Sequence, residues 1–341
     1  MTNTLPYSWY TDADVLARER ERLFSCAWRY AGHTGELAEP GSYLTLRSGD
    51  VPLVVVRDGE GVLRAFVNVC RHRGAEVVSG VGRCTTLQCH YHAWTYGLDG
   101  SLRAAPRSDA DPDFDRSGLG LQTAQVDTWG PFVFVNADAA APGLADTLGE
   151  LPEIIRHGGL DVDSLEFHSR VSYSLEANWK VAVENYLECY HCAVAHPTFS
   201  EVIDVSAERY RLEPHPTFAS HYAQPRGGSQ NGGVQGQFHM IWPGTKVNVM
   251  PGPPNLSIGP LDATGPDRTE GHLDYFFPAG ADRDWIAEYL DLDNVVGAED
   301  RVLVESVQRG MRSGAFDHGR LMLPSEELIG EFQRWVAAGL A

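Results

Sequence analysis

Two short stretches decide the fold of this chain: Cys70-Arg-His-Arg-Gly74 and Cys89-His-Tyr-His-Ala-Trp94. Each stretch offers one thiolate and one imidazole, in the order Cys70, His72, Cys89 and His92. Donors in this order can hold a [2Fe–2S] cluster, with the cysteines on one iron and the histidines on the other. Because neutral imidazoles replace two thiolates, the reduction potential is expected to rise from about −400 mV to roughly −150 to +300 mV. Such a cluster accepts an electron easily and passes it to a more oxidising centre.

A zinc site is the alternative interpretation, because two cysteines and two histidines also suit tetrahedral Zn²⁺. In zinc fingers the two cysteines usually lie close together in the sequence, whereas here each stretch contributes one residue of each type. The pattern C-x-H-R-G and C-x-x-H-x-W resembles the Rieske domain of ring-hydroxylating and related oxygenases. Respiratory Rieske proteins carry an extra cysteine in each loop, where this chain has Ala75 and His90. His90 does not fit the C-x-x-H spacing, so we do not expect it to be a ligand.

A second group of possible ligands lies in residues 178–197, which read Asn-Trp-Lys-Val-Ala-Val-Glu-Asn-Tyr-Leu-Glu-Cys-Tyr-His-Cys-Ala-Val-Ala-His-Pro. Mononuclear Fe(II) typically binds two histidines and one carboxylate, and His191 and His196 are the candidate histidines. Five residues separate them, so they do not share one face of a helix. The helix predicted near 178–191 should therefore end or bulge between them, and Pro197 favours an ending there. The segment resembles the catalytic signature N-W-K…E-N-x-x-D-x-Y-H-x-x-x-x-H of Rieske non-haem iron oxygenases.

The third iron ligand is expected to be an acid further along the chain, where Glu299, Asp300 and Glu305 are the candidates. A helix is predicted over 299–313, with an apolar stripe of Leu303, Val304, Val307 and Met311. Asp300 shares that inward face, and the family pattern also has an aspartate at this place. Glu305 falls on the polar face with Arg301, Gln308, Arg309 and Arg312. We therefore predict Asp300 as the ligand, with Glu299 as the alternative.

The resemblance also implies roles for residues around the iron, and we predict catalytic roles for Glu188 and Asn185. Glu188 takes the place of the family's usual bridging aspartate. It can hydrogen-bond His191 three residues later, and in the family this acid also reaches a cluster histidine of the neighbouring subunit. A glutamate here is similar to the carnitine- and betaine-type monooxygenases rather than to the naphthalene-type dioxygenases.

The substrate pocket is the least constrained part of the prediction. Aromatic side chains in an acidic protein can surround an ammonium group or a nitrogen heterocycle, although most of them are equally suited to the core of the sheet. The candidate pocket residues are Tyr186, Phe238, His239, Trp242, Asn248 and Met250.

The predicted fold class is α+β, with an all-β Rieske [2Fe–2S] domain and a catalytic domain whose antiparallel sheet is surrounded by helices. We place an N-terminal helix that packs on the catalytic domain in 1–28, the Rieske domain in 29–140 and the catalytic domain in 141–341. Short strands separated by turns fill the first half, and strands mixed with helices fill the second. A Gly-rich stretch at 227–236 is predicted to be a loop.

Composition limits the possible partners. The net charge of −19 argues against nucleic acid as a partner. Six cysteines in a chain of 341 residues do not indicate a disulfide framework, and Cys189-x-x-Cys192 is a weak signal for a redox dithiol. There is neither an apolar run of membrane-spanning length nor a signal peptide, so we expect no membrane contact and a cytoplasmic location.

Together these features predict the terminal oxygenase of a Rieske system. The resemblance implies a [2Fe–2S] cluster, a mononuclear Fe(II), O2 as co-substrate and a head-to-tail homotrimer. Electrons are expected from NAD(P)H through a separate ferredoxin or flavin reductase, because no G-x-G-x-x-G motif is present. The expected reaction is monooxygenation of a small, nitrogen-containing molecule by hydroxylation, N-demethylation or N-oxygenation. The alternatives are an aromatic-ring hydroxylase, an electron-carrier Rieske protein, which would lack the second site, and a zinc-binding structural module.

Overall fold

The computed structural model describes residues 3–227 and 233–341, so residues 228–232 of the predicted Gly-rich loop lie outside the described residues. The chain forms two compact units. One unit is Phe24–Leu144, and the other joins Met1–Leu23 to Ala145–Ala341. The first unit thus begins slightly before residue 29, since the Ser25 hydroxyl donates to the Ser48 carbonyl (3.2 Å) and the Ser48 hydroxyl donates to the Phe24 carbonyl (2.7 Å).

The unit Phe24–Leu144 is built from antiparallel strands. Its strands are β1 (Arg29–His33), β2 (Ser42–Ser48), β3 (Val51–Arg57), β4 (Leu63–Val67), β5 (Val81–Arg83), β6 (Leu87–Gln88), β7 (Thr95–Tyr96), β8 (Leu102–Ala104), β9 (Thr123–Trp129) and β10 (Phe132–Asn136). One sheet has the order β1-β10-β9-β4-β3-β2-β5, and a smaller one has the order β6-β7-β8. The valine-rich β3 is buried on both faces: Leu53 and Val55 join one apolar cluster, while Val54 and Val56 join the other.

The second unit contains an antiparallel sheet and most of the helices. Its strands are β11 (Leu165–Leu175), β12 (Ile203–Asp204), β13 (Arg211–Pro214), β14 (Phe218–Pro225), β15 (Gly236–Ile241), β16 (Thr245–Val249), β17 (Leu256–Gly265) and β18 (Arg268–Pro278). The order is β11-β18-β17-β16-β15-β14-β12, with β13 also paired to β14. The helices are α1 (Ala13–Glu19), α2 (Leu144–Leu148), α3 (Leu151–His157), α4 (Trp179–Tyr186), α5 (Cys192–Ala195), α6 (Pro197–Val202), α7 (Arg283–Arg312) and α8 (Glu327–Leu340). The predicted α+β class is confirmed.

Two helix predictions needed correction. The helix predicted near 178–191 ends at Tyr186, so His191 lies on a turn rather than on the helix. On α7, Val307 is 45 % exposed and Gln308 is only 2 % exposed, which exchanges the faces expected for them. Gln308 is buried because its amide accepts a bond from the Asn178 N–H (2.8 Å) and donates one to the Tyr10 carbonyl (3.0 Å).

A buried polar network links the N-terminal segment to α4 and α8. The Lys180 ammonium pairs with Glu19 (2.6 Å), and both side chains are fully buried. The Tyr10 hydroxyl and the Gln333 amide both donate to the Glu184 carboxylate, at 2.6 and 3.0 Å. Lys180 and Glu19 neutralise each other, which is the condition for burying ions without a large penalty, whereas Glu184 is hydrogen-bonded by neutral donors. Within the described residues, no helix is long and apolar enough to cross a membrane.

Candidate active site

The two cluster loops have the same backbone design. The Cys70 N–H donates to the Ala75 carbonyl and the Gly74 N–H donates back to the Cys70 carbonyl. In the second loop the Cys89 N–H donates to the Trp94 carbonyl and the Ala93 N–H donates back to the Cys89 carbonyl. The residue four places after each cysteine has a left-handed backbone, with φ of 77° at Gly74 and 58° at Ala93. Each loop therefore presents its cysteine and histidine from one tight turn.

The four predicted cluster ligands differ in exposure. Cys70 and Cys89 are free and almost fully buried, whereas His72 and His92 are exposed. The two imidazole rings lie 4.6 Å apart between centroids, and the ring of Trp94 stacks on His72 at 5.0 Å. The Cys70 thiol is 3.3 Å from the hydroxyl oxygen of Tyr96, which also accepts the Arg71 N–H. Two buried thiols beneath two exposed imidazoles are the donor set that a [2Fe–2S] cluster with mixed ligands requires.

In the catalytic unit, three donor atoms from distant parts of the sequence converge. His191 Nε2 lies 3.0 Å from His196 Nε2 and 3.5 Å from Asp300 Oδ1, and His196 Nε2 lies 3.0 Å from the same oxygen. Adjacent ligands about 2.1 Å from an octahedral ion lie about 3.0 Å apart. The three atoms therefore fit one triangular face around a metal ion and leave the other positions open.

A carboxylate holds the other ring nitrogen of each histidine. Glu188 bonds Nδ1 of His191, and Glu299 lies 2.8 Å from Nδ1 of His196. Both histidines thus direct Nε2 to the same point, which is the usual arrangement around a bound metal. The sequence left open whether Asp300 or Glu299 is the third ligand. In the structure Asp300 faces the point where the two Nε2 atoms converge, and Glu299 lies on the Nδ1 side of His196.

The charges at this centre match the donor set. Burial alone would lower the pKa of His191, but its hydrogen bonds to Asp300 and Glu188 raise it to about 9. Burial would raise the pKa of Asp300, yet hydrogen bonds from His191 and His196 hold that pKa below its usual range. Burial would also lower the pKa of His196, but its hydrogen bond to Asp300 raises it. A cation at the point where the three donor atoms converge would therefore compete with protons on the two imidazoles.

The turn after α4 is organised by Glu188. The second oxygen of its carboxylate accepts the backbone N–H groups of Tyr190 and His191. Cys189 and Cys192 form a disulfide across this turn, a pairing that the sequence signalled only weakly. Asn185, predicted to be catalytic, places its amide nitrogen 3.5 Å from His191 Nε2, which is too long for a strong hydrogen bond.

A cavity of about 370 Å³ adjoins the triad. Four predicted pocket residues line it: Tyr186, Phe238, Asn248 and Met250. The Tyr186 hydroxyl donates to Asn248 Oδ1 at 2.6 Å, which fixes α4 to β16 beside the cavity. Further lining residues that the prediction missed are Tyr173, Tyr275, Tyr289, Lys246 and Asp293.

The prediction is corrected for His239 and Trp242, which do not line this cavity. His239 is fully buried and hydrogen-bonds Ser220 (2.8 Å) and Gln237 (3.2 Å), and burial lowers its pKa to about 3. It follows Phe238 on β15, and successive strand residues point to opposite faces. Trp242 packs against a cluster of aromatic rings: Trp179, Phe332 and Trp335.

Family comparisons agree with this geometry. A family model described as ring hydroxylating alpha subunit (catalytic domain) matches residues 162–341, and one described as Rieske [2Fe-2S] domain matches residues 27–125. The chain belongs to the Rieske ring-hydroxylating alpha-subunit family. It is therefore a Rieske oxygenase, which confirms the predicted family and enzyme class.

Individual relatives cover nearly the whole chain. The oxygenase is 35% identical to the carnitine monooxygenase oxygenase subunit of Acinetobacter pittii, over 98% of this chain and 94% of that protein. It is 34% identical to the chloroplastic choline monooxygenase of Amaranthus tricolor, over 98% of this chain and 77% of that protein.

Solved structures show the same relationship. The quaternary ammonium Rieske monooxygenase CntA in complex with L-carnitine superposes with a TM-score of 0.87 at 34% identity, over 99% of this chain and 96% of that one. Naphthalene 1,2-dioxygenase from Rhodococcus sp. has a TM-score of 0.81 at 20% identity, over 99% and 94% of the two chains, and shows only that the fold is shared.

Proposed function

We propose that this chain is the terminal oxygenase of a Rieske system that monooxygenates a small quaternary ammonium compound. The observation that carries the proposal is an aromatic cavity that adjoins a convergent triad of two histidines and one aspartate. Aromatic faces attract quaternary ammonium groups without requiring a hydrogen bond from them. The carnitine- and choline-oxidising relatives support the same substrate class.

The two metal centres are assigned to separate ligand sets. Cys70, His72, Cys89 and His92 would hold a [2Fe–2S] cluster, and His191, His196 and Asp300 would hold one Fe(II). When bound, the cluster supplies electrons and the Fe(II) supplies the open positions at which O2 is activated.

The protein's own groups determine where the substrate and the ligands lie. Glu188 and Glu299 keep the ring planes of the two histidines fixed through their Nδ1 atoms. Phe199, Phe238 and Tyr210 contribute aromatic surface to the cavity wall, which surrounds the substrate and excludes water. Tyr186 and Asn248 form one hydrogen-bonded pair in that wall and limit how it can rearrange. Asn185 lies beside His191 at the same wall.

The remaining partners follow from the chemistry of the reaction. We propose electron delivery from NAD(P)H by a separate flavin reductase or ferredoxin, and a homotrimer in which Glu188 connects the iron of one subunit to the cluster of its neighbour. We also propose the cytoplasm as the compartment, because Fe(II) and reduced nicotinamide are available there.

A single-turnover experiment tests the proposal without the reductase. Anaerobically purified protein should contain about three irons per chain, two of them with acid-labile sulfide. After chemical reduction, addition of O2 with choline or γ-butyrobetaine should give an oxygenated product by mass spectrometry. Zinc without sulfide would contradict the cluster assignment, and turnover of naphthalene-type aromatics alone would contradict the substrate class.

A further inference from the structure

Lysine occurs at only two positions in this chain, Lys180 and Lys246, although lysine and arginine together number 27. Both lysines lie in the catalytic unit. Lys180 is fully buried and is neutralised by Glu19 at 2.6 Å. Lys246 lines the cavity and is half-buried, and no carboxylate oxygen of residues 3–227 or 233–341 lies within 4.0 Å of its ammonium. The cavity therefore contains a cation without a direct ionic partner.

The sheet determines the position of Lys246. On β16, Lys246 alternates with the buried residues Thr245 and Val247, so it shares the cavity face with Asn248. Its ammonium lies 5.3 Å from the ring centroid of Tyr173 and 5.2 Å from that of Tyr186. Two rings at these distances stabilise the cation by cation–π attraction and restrict its movement.

Asp293 is an acid whose charge interacts with Lys246, but its carboxylate oxygens lie more than 4.0 Å from the ammonium. Its carboxylate accepts a hydrogen bond from the Tyr275 hydroxyl and lines the same cavity. Burial raises the pKa of Asp293, while the hydrogen bond from Tyr275 and the charge of Lys246 act in the opposite direction, and the Tyr275 hydroxyl already occupies its carboxylate. A half-buried ammonium without a matched anion is unfavourable, and an anionic ligand would remove that cost.

We propose that Lys246 binds a carboxylate of the substrate, so that the substrate is a zwitterion with a quaternary ammonium group at one end and a carboxylate at the other. The ammonium part of this inference rests on the proposed function; the carboxylate part rests on Lys246. The charged hydrogen bond formed by Lys246 then separates betaines, which carry a carboxylate, from amino alcohols, which carry a hydroxyl at the same end.

The test compares two ligands that differ at one end: γ-butyrobetaine, which carries a carboxylate there, and its methyl ester, which lacks the negative charge and has one more methyl group. Titration calorimetry of the anaerobic holoenzyme should show roughly 10- to 100-fold tighter binding of the acid, the range for a hydrogen bond to a charged group. In Lys246→Met this ratio should fall close to one. Lys246→Gln, which keeps a polar end group without the charge, should show the same loss. It takes the place of Lys246→Met if that variant does not fold. Iron and sulfide content verify that each variant retains both centres.

Arg301 provides the matched control, because it is the other cation that lines the cavity and is exposed on α7. Arg301→Met should keep the acid-to-ester ratio. Equal binding of acid and ester by the wild type, retention of the ratio in Lys246→Met and Lys246→Gln, or its loss in Arg301→Met would each overturn the inference. Failure of γ-butyrobetaine, its ester and choline all to bind would instead contradict the proposed substrate class.

Discussion

Two neighbouring acids, Glu299 and Asp300, are predicted to have different functions at the iron. Asp300→Ala removes one of three converging donor atoms, so the mononuclear iron and turnover should be lost while the cluster spectrum remains. Glu299→Ala removes only the contact with Nδ1 of His196, and loss of such a contact typically costs about 10–100-fold in metal affinity or activity. Iron content per chain and visible absorption distinguish the variants. Iron loss in Glu299→Ala with retention in Asp300→Ala would reverse the assignment.

Glu188 is the second residue whose role can be measured directly. Glu188→Gln should keep both metals, since the amide oxygen can still accept the N–H groups of Tyr190 and His191. If the carboxylate also couples subunits, single-turnover oxidation of the reduced cluster by O2 and substrate should stop. Stopped-flow absorption measures that step. A slowing of only about 10–100-fold would leave Glu188 with the single function of orienting His191, and near-normal oxidation would exclude coupling.

At the scale of elements, the cluster loops depend on left-handed backbone positions. Gly74→Ala should destabilise its loop by about 1 kcal/mol, because an L-residue is strained at φ of 77°. A Cβ there would meet nothing within 4 Å, so steric overlap is not the cause. The midpoint of cluster loss in urea reports the change.

Matched variants separate backbone strain from other effects of the same substitution. Gly118 also has open space around a Cβ but has no positive φ, so Gly118→Ala should be neutral or slightly stabilising. Ala93→Gly, at φ of 58°, should act in the opposite direction to Gly74→Ala. Equal destabilisation by Gly74→Ala and Gly118→Ala would contradict the argument.

At the scale of the molecule, the buried network around Glu184 makes stability depend on pH. Burial raises the pKa of Glu184 to about 7 from an unperturbed 4.5, although Tyr10 and Gln333 donate to it. The folded chain therefore retains a proton that the unfolded chain loses, and stability falls as pH rises from about 4.5 to about 7. Above pH 7 the full cost is about 3 kcal/mol.

Replacement of Glu184 by glutamine tests this linkage. Glu184→Gln should resemble the wild type near pH 5 and become progressively more stable than it toward pH 8, because the amide never ionises. Urea unfolding followed by tryptophan fluorescence, with Trp179 in the same helix, measures both curves. Parallel pH profiles of the two proteins would show that Glu184 does not titrate as described.

The sequence by itself was enough to predict the metal chemistry. Residue type and short spacing are enough to mark the candidate cluster ligands, which are Cys70, His72, Cys89 and His92. The same features mark His191 and His196, and Pro197 adds the helix ending that their spacing requires. Ligand identity is a local property because thiolates and imidazoles have few other uses at such intervals. The class of fold followed from the family resemblance and from the alternation of short strands in the first half.

Strand alternation was a signal in the sequence that the pocket prediction did not use. Phe238 and His239 are consecutive on β15 and cannot both face one cavity. The same rule groups Lys246 with Asn248 and Met250, which would have identified the cavity lysine once β16 was placed. Only the tertiary packing decides which of the two faces of the sheet meets α4 and α7.

Tertiary structure alone decided which distant groups meet. Glu299 and Asp300 are adjacent in sequence, and only the packing of α7 against α4 directs one to Nδ1 of His196 and the other to the point where the Nε2 atoms of the two histidines converge. Gln308 is buried because Asn178 and Tyr10, far from it in sequence, supply its partners. Contacts of this kind depend on long-range packing of elements, whereas the ligand motifs depend on spacing within one segment. The candidate ligands could therefore be read from the sequence, but the side chains that surround them could be found only from the fold.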